Sequence, residues 1–334
     1  MILAGDIGGT KTILALFEPE ASGLRQVRDA VFPSGNYRSF DDVVSEFMKS
    51  EIGEVHAACF GVAGPVIDGR ARITNLPWVL EEGALARLTK AARAKTPRVK
   101  LLNDLEATAY GVLFLRDDEC ATLSSGTAPE TPRAKGHIAV IAAGTGLGEA
   151  MLYSDGSHYH PIASEGGHAD FAPRTDEEIE LLRFLRKKFS GHVSYERLLS
   201  GPGFRNIYCF LRDTRYAPEP AWLAEKLTSG DPSATITEIG LAGSEPLCVK
   251  TLELFSGIYG AEAGNLALKC LALGGVFIAG GIAPKILPVL QNGSFIRGFT
   301  DKGRFASLTE QITVKIALNP RTALLGAAHF ALRV

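Results

Sequence analysis

Apolar runs alternate along this chain with stretches of helical periodicity, and the most informative run ends at Asn103-Asp104. Residues 99–102 are mostly apolar, and residues 105–111 are good helix formers. This pattern predicts a buried strand that leads into a helix, with Asp104 at the carboxyl end of the strand. Ligands bind beyond such strand ends in open α/β sheets. Asp104 has a second interpretation as the N-cap of the helix, because Asp is a favoured cap.

Two segments share the order strand, glycine-rich turn, strand. The first covers Ile2–Phe17 and contains GDIGGTKT, and the second covers His137–Tyr153 and contains AGTGLGEA. The recurrence predicts two similar halves that face each other across a cleft. Glycine turns of this kind let backbone amides approach a phosphate closely, with Thr10 and Lys11 as further donors. Asp6 precedes the first turn, and a carboxylate beside phosphates suits Mg²⁺.

Neither turn matches the two common nucleotide motifs. Thr10 stands where a Walker A loop has its second glycine, and Glu149 stands where a dinucleotide-binding motif has its last glycine. Both turns also lead into strands, whereas the two motifs lead into helices. The sequence therefore excludes a P-loop and disfavours a Rossmann site.

The rest of the pattern predicts further elements of an α/β fold. A buried strand ends in the diglycine Gly280-Gly281, followed by a helix from Pro284, where proline suits the first turn. The diglycine either lets a flat base lie on the backbone or only makes a tight turn. Asn75 either contacts a ligand or starts a turn.

The other predicted helices are Phe40–Ser50, Glu81–Ala94, Glu177–Phe189, Tyr195–Leu211, Glu245–Leu271 and Arg321–Leu332.

A polar loop follows the second repeat at Ser164–Asp170. It contains two carboxylates and an imidazole, and with His158 and His160 it suggests a metal site. The alternation around His158 is typical of a hairpin edge, and no thiolates accompany it, so a metal site is disfavoured.

Composition narrows the class of protein. The 334 residues carry a net charge of −2 and are 46% apolar, which gives no electrostatic footprint for nucleic acid. No apolar stretch reaches membrane-spanning length without a charge or glycine break, and no targeting segment is evident. Five scattered cysteines fit reduced thiols of a cytoplasmic protein.

Seven motifs in one order resemble the bacterial glucokinase family of the sugar-kinase, actin and heat-shock-chaperone superfamily. They are GDIGGTKT, LLNDLEATAYG, GTGLGEA, EGGHADFAP, YERLLSGPG, VFIAGGIAPK and TALLGAAH. The resemblance implies a two-lobed, actin-like (ribonuclease H-like) α/β ATPase fold with a central cleft. The implied small lobe comprises residues 1–114 and 321–334, and the large lobe comprises residues 115–320.

The resemblance also implies a reaction, in which ATP and Mg²⁺ phosphorylate the 6-hydroxyl of glucose. Asp104 becomes the catalytic base, and Asp6 becomes the metal ligand. Sugar hydroxyls are assigned to Asn103, Asp104, Glu165, His168, Glu196 and Asn75. Phosphates are assigned to Gly8, Gly9, Thr10, Lys11, Gly144, Thr145 and Gly146, and the adenosine is assigned to Gly280 and Gly281. The chemistry agrees, because a sugar hydroxyl needs a base to take its proton as it attacks.

Several alternatives stay open. The opening GDIGGTKT is closer to the repressor, open-reading-frame and kinase (ROK) group, but the cysteine-rich zinc loop of that group is missing, which favours the non-zinc glucokinases. The other candidates are a kinase for another hexose or amino sugar, a non-kinase actin-like ATPase, and a sugar-sensing repressor. A repressor is disfavoured by the charge and by the lack of a helix-turn-helix before Asp6. A homodimer is left open.

Overall fold

The architecture comes from a computed structural model, which describes residues 1–21, 23–49, 54–73, 75–89, 98–126 and 136–334. The strands of these residues are β1 Ile2–Ile7, β2 Lys11–Glu20, β3 Gly23–Pro33, β4 Ala57–Val62, β5 Val66–Ile67, β6 Arg70–Arg72, β7 Val79–Glu81, β8 Val99–Asn103, β9 Cys120–Ser124, β10 Ile138–Ala143, β11 Leu147–Ser154, β12 Tyr159–Ser164, β13 Gly275–Ala279 and β14 Val314–Ala317. The helices are α1 Phe40–Phe47, α2 Glu82–Leu88, α3 Asp104–Gly111, α4 Asp176–Phe189, α5 Gly201–Asp213, α6 Ala221–Ser229, α7 Pro232–Leu241, α8 Pro246–Lys269, α9 Leu287–Gln291, α10 Ser294–Thr300, α11 Ala306–Thr309 and α12 Thr322–Ala331.

The first sheet has five strands in the order β3-β2-β1-β4-β8. The strands β1, β2 and β3 are antiparallel, and β4 and β8 continue the sheet parallel to β1. Every residue of β4 is buried, as is typical of a parallel strand covered on both faces. The carboxyl ends of β1, β4 and β8 lie along one edge, which brings Asp6 and Asp104 to the same side of the sheet.

The second sheet has six strands in the order β12-β11-β10-β13-β14-β9. It repeats the plan of the first, because β10, β11 and β12 are antiparallel and β13 and β14 run parallel to β10. Both glycine-rich turns join hairpins, β1-β2 and β10-β11. A small antiparallel sheet, β5-β6-β7, lies apart from these two.

Helix α3 lies between the two large sheets. One side of it packs against α12 so closely that a Cβ on Gly111 would overlap Thr322 O, and a Cβ on Gly326 would overlap Ala107 O. The α12 side chains cover the face of the first sheet that carries Ile2 and Ala4. The other side of α3 packs on the second sheet, through residues such as Tyr110 against buried residues of β10 and β11. The helix that begins at Asp104 therefore touches both sheets.

Two predicted helices differ from the structure. The segment predicted as Tyr195–Leu211 is a 3₁₀ turn at Tyr195–Arg197 followed by α5, which starts at Gly201 with Ser200 as its N-cap. Residues 280–286 form turns, and the helix expected from Pro284 begins only at Leu287. The predicted extension of α2 to Ala94 lies outside the described residues.

Across the described residues, no helix combines the length and apolar character needed to cross a lipid bilayer. All five cysteines are free thiols, and Cys59 and Cys248 are buried.

Candidate active site

The end of β8 places Asp104 in the first turn of α3. The N-cap of this helix is Asn103, whose Oδ1 accepts a hydrogen bond from Leu105 N at 2.9 Å, and Glu106 completes a capping box by accepting from Asn103 N. The interpretation of Asp104 as the N-cap is therefore wrong by one residue, since Asn caps as well as Asp. The Asn103 amide nitrogen donates to Gly64 O at 3.1 Å, which ties β8 to the loop after β4.

Asp104 is an acid with a shifted pKa. Burial raises the pKa of its carboxyl to about 6, a hydrogen bond from Leu105 N opposes the shift, and the nearby charges of Asp6 and Glu165 add to it. Burial also raises the pKa of Asp6. A carboxylate with a pKa close to neutral is suited to accept a proton from a substrate and to release it again.

Buried hydroxyl groups support the first glycine turn, Gly8–Thr10, through hydrogen bonds. Ser34 Oγ donates to Gly8 O at 2.8 Å, Ser34 N donates to Thr10 O at 3.0 Å, and Ser34 Oγ lies 3.0 Å from Thr12 Oγ1. Ser34 and Thr12 are completely buried, whereas Thr10 and Lys11 are exposed. The turn is fixed on its inner side and open on its outer side.

The second glycine turn is held by a carboxylate. Glu196 Oε2 accepts from Leu147 N at 3.0 Å and lies so close to Gly146 that a Cβ there would overlap it. Gly144 O accepts from Gly201 N at 2.8 Å, and nothing occupies the space in front of Gly144. Thr145 is exposed. Gly144 N donates to Gly146 O at 2.8 Å, which closes the turn, and its open side is the one at Gly144 and Thr145.

Residues 165–170 form the polar loop, called here the 165–170 loop. His168 links its two acidic neighbours, with Nε2 at 3.9 Å from Glu165 Oε2 and Nδ1 at 3.9 Å from Glu196 Oε1. The Glu165 side chain is 73% exposed and the Glu196 side chain is 30% exposed. The fold thus brings Glu196, from the 3₁₀ turn at Tyr195–Arg197, to Glu165 and His168 of the loop.

The described residues contain no group of three or more His, Cys, Asp and Glu side chains that could hold a metal ion by themselves. The residues suspected of forming such a group have other partners. His160 lies 2.8 Å from Asp155, and Asp170 lies 3.0 Å from His192.

Two predicted ligand positions lie at exposed turns. Gly280 has φ +82° and approaches Ala143 O too closely for any side chain, and the space in front of Gly281 is open. Asn75 has φ +67° in an exposed turn between β6 and β7, which fits its interpretation as a turn residue. Its assignment to the sugar stays a prediction.

The family follows from the match of the whole chain to known proteins. The family model described as "Glucokinase" matches residues 3–334. The chain belongs to the glucokinase family. A glucokinase of Trichormus variabilis is 43% identical over 350 residues, which cover 100% of this chain and 99% of that protein.

Solved structures confirm the predicted fold class. The crystal structure of a glucokinase from an Antarctic psychrotroph has a TM-score of 0.86 and 30% identity, covering 100% of this chain and 99% of that one. A ROK family glucokinase from Streptomyces griseus, solved with glucose and AMPPNP, has a TM-score of 0.63 at 21% identity and shares the fold. The fold is the two-lobed actin-like architecture, and the predictions of a sugar-kinase enzyme and of its family are confirmed.

Ser34 was missed from the sequence. It lies 26 residues from Gly8 in a short polar segment, Pro33-Ser34-Gly35-Asn36, that has no motif of its own. The structure places it directly after β3, which pairs with β2 of the hairpin.

Proposed function

We propose that this protein transfers the γ-phosphoryl group of ATP to the 6-hydroxyl of glucose, with Asp104 as the general base. The observation that carries the proposal is the position of Asp104. It stands at a strand end, with a pKa raised by burial and with Asp6 and Glu165 close by. A strand-end carboxylate beside two phosphate-sized glycine turns is the arrangement that this reaction needs.

The reaction itself requires one proton acceptor. As the glucose hydroxyl attacks the γ-phosphorus, its proton passes to Asp104, the bond from phosphorus to the bridging oxygen breaks, and ADP leaves. Phosphoryl transfer depends mainly on in-line positioning and on charge neutralisation. The turns at Gly8–Thr10 and Gly144–Gly146 supply amide donors for the phosphates, and Lys11 adds a positive charge. We assign Gly280-Gly281 to the adenosine because Gly281 faces open space.

The donor set fits Mg²⁺. Asp6 and Asp104 bring carboxylate oxygens, which Mg²⁺ prefers, to one edge of the sheet, and the raised pKa of Asp6 reflects a buried negative charge that a cation would offset. We assign Asp6 to the ion, which when bound neutralises charge on the phosphates. Activity should require Mg²⁺ and be indifferent to a zinc-selective chelator. Zinc retained after dialysis and needed for activity would contradict this assignment.

Glucose is assigned to the residues around the 165–170 loop. Glu165 and Glu196 each lie 3.9 Å from His168, so that the three side chains offer two acceptors and a donor, and the charge of Glu165 acts on Asp104 at the strand end. Asn103 is assigned to the sugar from the family resemblance, and its side chain also bonds Leu105 N and Gly64 O. A polyol suits such a set because each oxygen can accept from a hydroxyl group, and a buried acceptor left without its partner costs about 1–3 kcal/mol. Epimers and deoxy sugars should therefore lose activity steeply.

The lobes of the proposed enzyme are residues 1–114 with 321–334, and residues 115–320. The packing of α12 on the first sheet and the pairing of β9 with β14 in the second sheet support this division. Glucose hydroxyls would recruit the 165–170 loop and close the cleft, which excludes water from the γ-phosphate. Small-angle scattering should show compaction with glucose and none with a sugar that is not a substrate.

The decisive assay is ADP release by the purified protein across a panel of sugars. We expect glucose to be preferred over its epimers and over amino sugars. Equal rates on glucose and on epimers at several positions, with no compaction on glucose, would contradict the proposed sugar site. The five free cysteines fit a reducing compartment, and we propose the cytoplasm.

A further inference from the structure

A buried pair of acids lies directly behind the 165–170 loop. Glu149 is in β11, two residues after Leu147, and its side chain is 1% exposed. Glu262, in α8, is completely buried and lies close enough to Glu149 for its charge to raise the pKa of the Glu149 carboxyl. Two neighbouring carboxyl groups buried in this way are not both ionised without a large cost in free energy, so one of them holds a proton.

Of the two carboxyl groups, Glu149 is the one that carries the proton. Glu262 is supported as an anion by Lys269 Nζ at 3.1 Å and by Asn265 Nδ2 at 2.8 Å. In the described part of the chain, by contrast, no conventional donor reaches Glu149 Oε1. Burial and the charge of Glu262 raise the pKa of Glu149 well above its ordinary range, and Lys269 opposes the shift only in part. The other titratable groups around the pair are Tyr259, Cys270, Tyr195 and Lys302.

The opposite side of Glu149 supports the loop. Its Oε2 fills the position that a Cβ on Gly166 would take, and Gly166 N donates to Ser164 Oγ at 2.9 Å. Ser164 is the partner of Glu149 across the β11-β12 ladder. Gly167 likewise rests on Leu147 O with no room for a side chain. The backbone that follows Glu165 therefore lies directly on the Glu149 carboxyl group.

We propose that Glu149 is a positioning residue for glucose, which in its protonated form, beside the Glu262 carboxylate, holds Gly166 in place and so sets the positions of Glu165 and His168. The inference rests on the proposed function, since it concerns the same sugar site. When Glu149 loses its proton to solvent, two adjacent carboxylates repel each other. Lys269 and Asn265 hold the Glu262 carboxylate in place, so the repulsion moves the Glu149 carboxylate toward Gly166. The side chains of Glu165 and His168, which flank Gly166, are exposed and free to shift with it.

The test compares the wild-type protein with Glu149→Gln, because the amide has the shape of the protonated acid but cannot ionise. The readouts are the KM for glucose and the KM for ATP from about pH 6 to about pH 10. We expect the wild-type glucose KM to rise by about 10-fold at the alkaline end, while that of Glu149→Gln stays within about twofold. The ATP KM should behave alike in both proteins. Glu225→Gln, an exposed change in α6 of the same lobe, should follow the wild type.

A second measurement does not depend on activity. A Glu whose pKa is higher in the folded state than in the unfolded state contributes stability at low pH, and this contribution is lost as pH rises through the folded-state pKa. The Tm of Glu149→Gln relative to wild type should therefore increase as the pH is raised. A constant Tm difference, or parallel rises of glucose KM in the two proteins, would overturn the proposal.

The two proposals fail in different ways. Glu165→Gln at neutral pH tests the loop itself. If Glu165→Gln leaves the glucose KM unchanged, the assignment of the loop to glucose is wrong. If Glu165→Gln raises the glucose KM but Glu149→Gln keeps the wild-type pH profile, only the positioning role of Glu149 is wrong.

Discussion

The two groups of acids in the proposed active site differ in how firmly the chain holds them. The strand-end acids Asp6 and Asp104 are largely buried at the edge of a sheet, and burial raises the pKa of each. Of the acids on the other side of the cleft, Glu196 accepts a hydrogen bond from Leu147 N at 3.0 Å, whereas the Glu165 side chain is 73% exposed and lies 3.9 Å from His168. The strand-end acids are therefore held more firmly than Glu165.

The difference follows from the elements that carry the residues. Asp6 lies in β1, which is paired with β2 on one side and with β4 on the other, and Asp104 lies in the capped first turn of α3, so both carboxyl groups keep their positions. In the 165–170 loop the backbone of Gly166 and Gly167 packs on β11, but the side chains of Glu165 and His168 are exposed and can adjust to a sugar. On the proposed assignments, the groups for the chemistry are held by the first sheet, whereas recognition of the sugar would depend on closure.

The largest loss of activity should come from a substitution among the strand-end acids, at Asp104. Asp104→Asn keeps the shape of the side chain but removes the proton acceptor, so turnover should fall by roughly 10²-fold or more with the fold intact. Steady-state kinetics and circular dichroism measure the two properties. Asp117→Asn, at an exposed position in the large lobe, is the matched control and should be fully active. A folded Asp104→Asn protein with normal turnover would mean that Asp104 is not the base.

The second-largest effect should be the loss of activity of the wild-type protein at acidic pH. Asp104 must be deprotonated to act, so kcat/KM should be constant above its pKa of about 6 and fall about tenfold per unit of pH below it. This acid limb of the pH profile should be absent from the residual activity of Asp104→Asn. An acid limb that persists unchanged in the variant would assign it to another group.

A substitution of the exposed Glu165 should have a smaller effect, which is confined mainly to the glucose KM. Glu165→Gln keeps an acceptor but changes the charge and adds donors, so the glucose KM should rise by about 5- to 10-fold, equivalent to about 1 kcal/mol. The ATP KM should change much less. Equal changes in both constants would show that the 165–170 loop does not distinguish the two substrates.

The smallest effect should come from the buried support of the first glycine turn. Ser34→Ala removes the hydroxyl that joins Gly8 O to Thr12, and the loss of one such hydrogen bond should raise the ATP KM by about 2- to 10-fold. The glucose KM should not move. Ser229→Ala, an exposed serine at the end of α6, serves as control. An unchanged ATP KM would indicate that Gly8–Thr10 keeps its shape without Ser34.

The side of the cleft with the strand-end acids was the more predictable from the sequence. The apolar run that ends at Asn103-Asp104 and the glycine turns are local patterns, and the structure has the predicted strands and hairpins there. The identity of the helix cap was wrong by one residue because adjacent Asn and Asp are equivalent as caps. The break before Gly201 was missed because the apolar spacing continues across it.

Features that depend on distant partners could not be predicted. The burial of Glu149 is decided by α8, more than a hundred residues later, and a polar residue in a strand is ordinarily expected to face solvent. Ser34 supports Gly8 only because β3 folds back beside β2. In both cases the partner residue is brought close by the order of strands and helices in the fold, and a short sequence motif contains no information on that order.

The packing of α12 has a consequence for the order in which the chain can fold during synthesis. Residues 322–331 cover the face of the first sheet that carries Ile2 and Ala4, and their close contact with α3 depends on Gly111 and Gly326. That face emerges from the ribosome some 200 residues before its cover, which at about 5–20 residues per second is a delay of tens of seconds at the slower rate. The first sheet therefore lacks this cover while the residues of the second sheet are made.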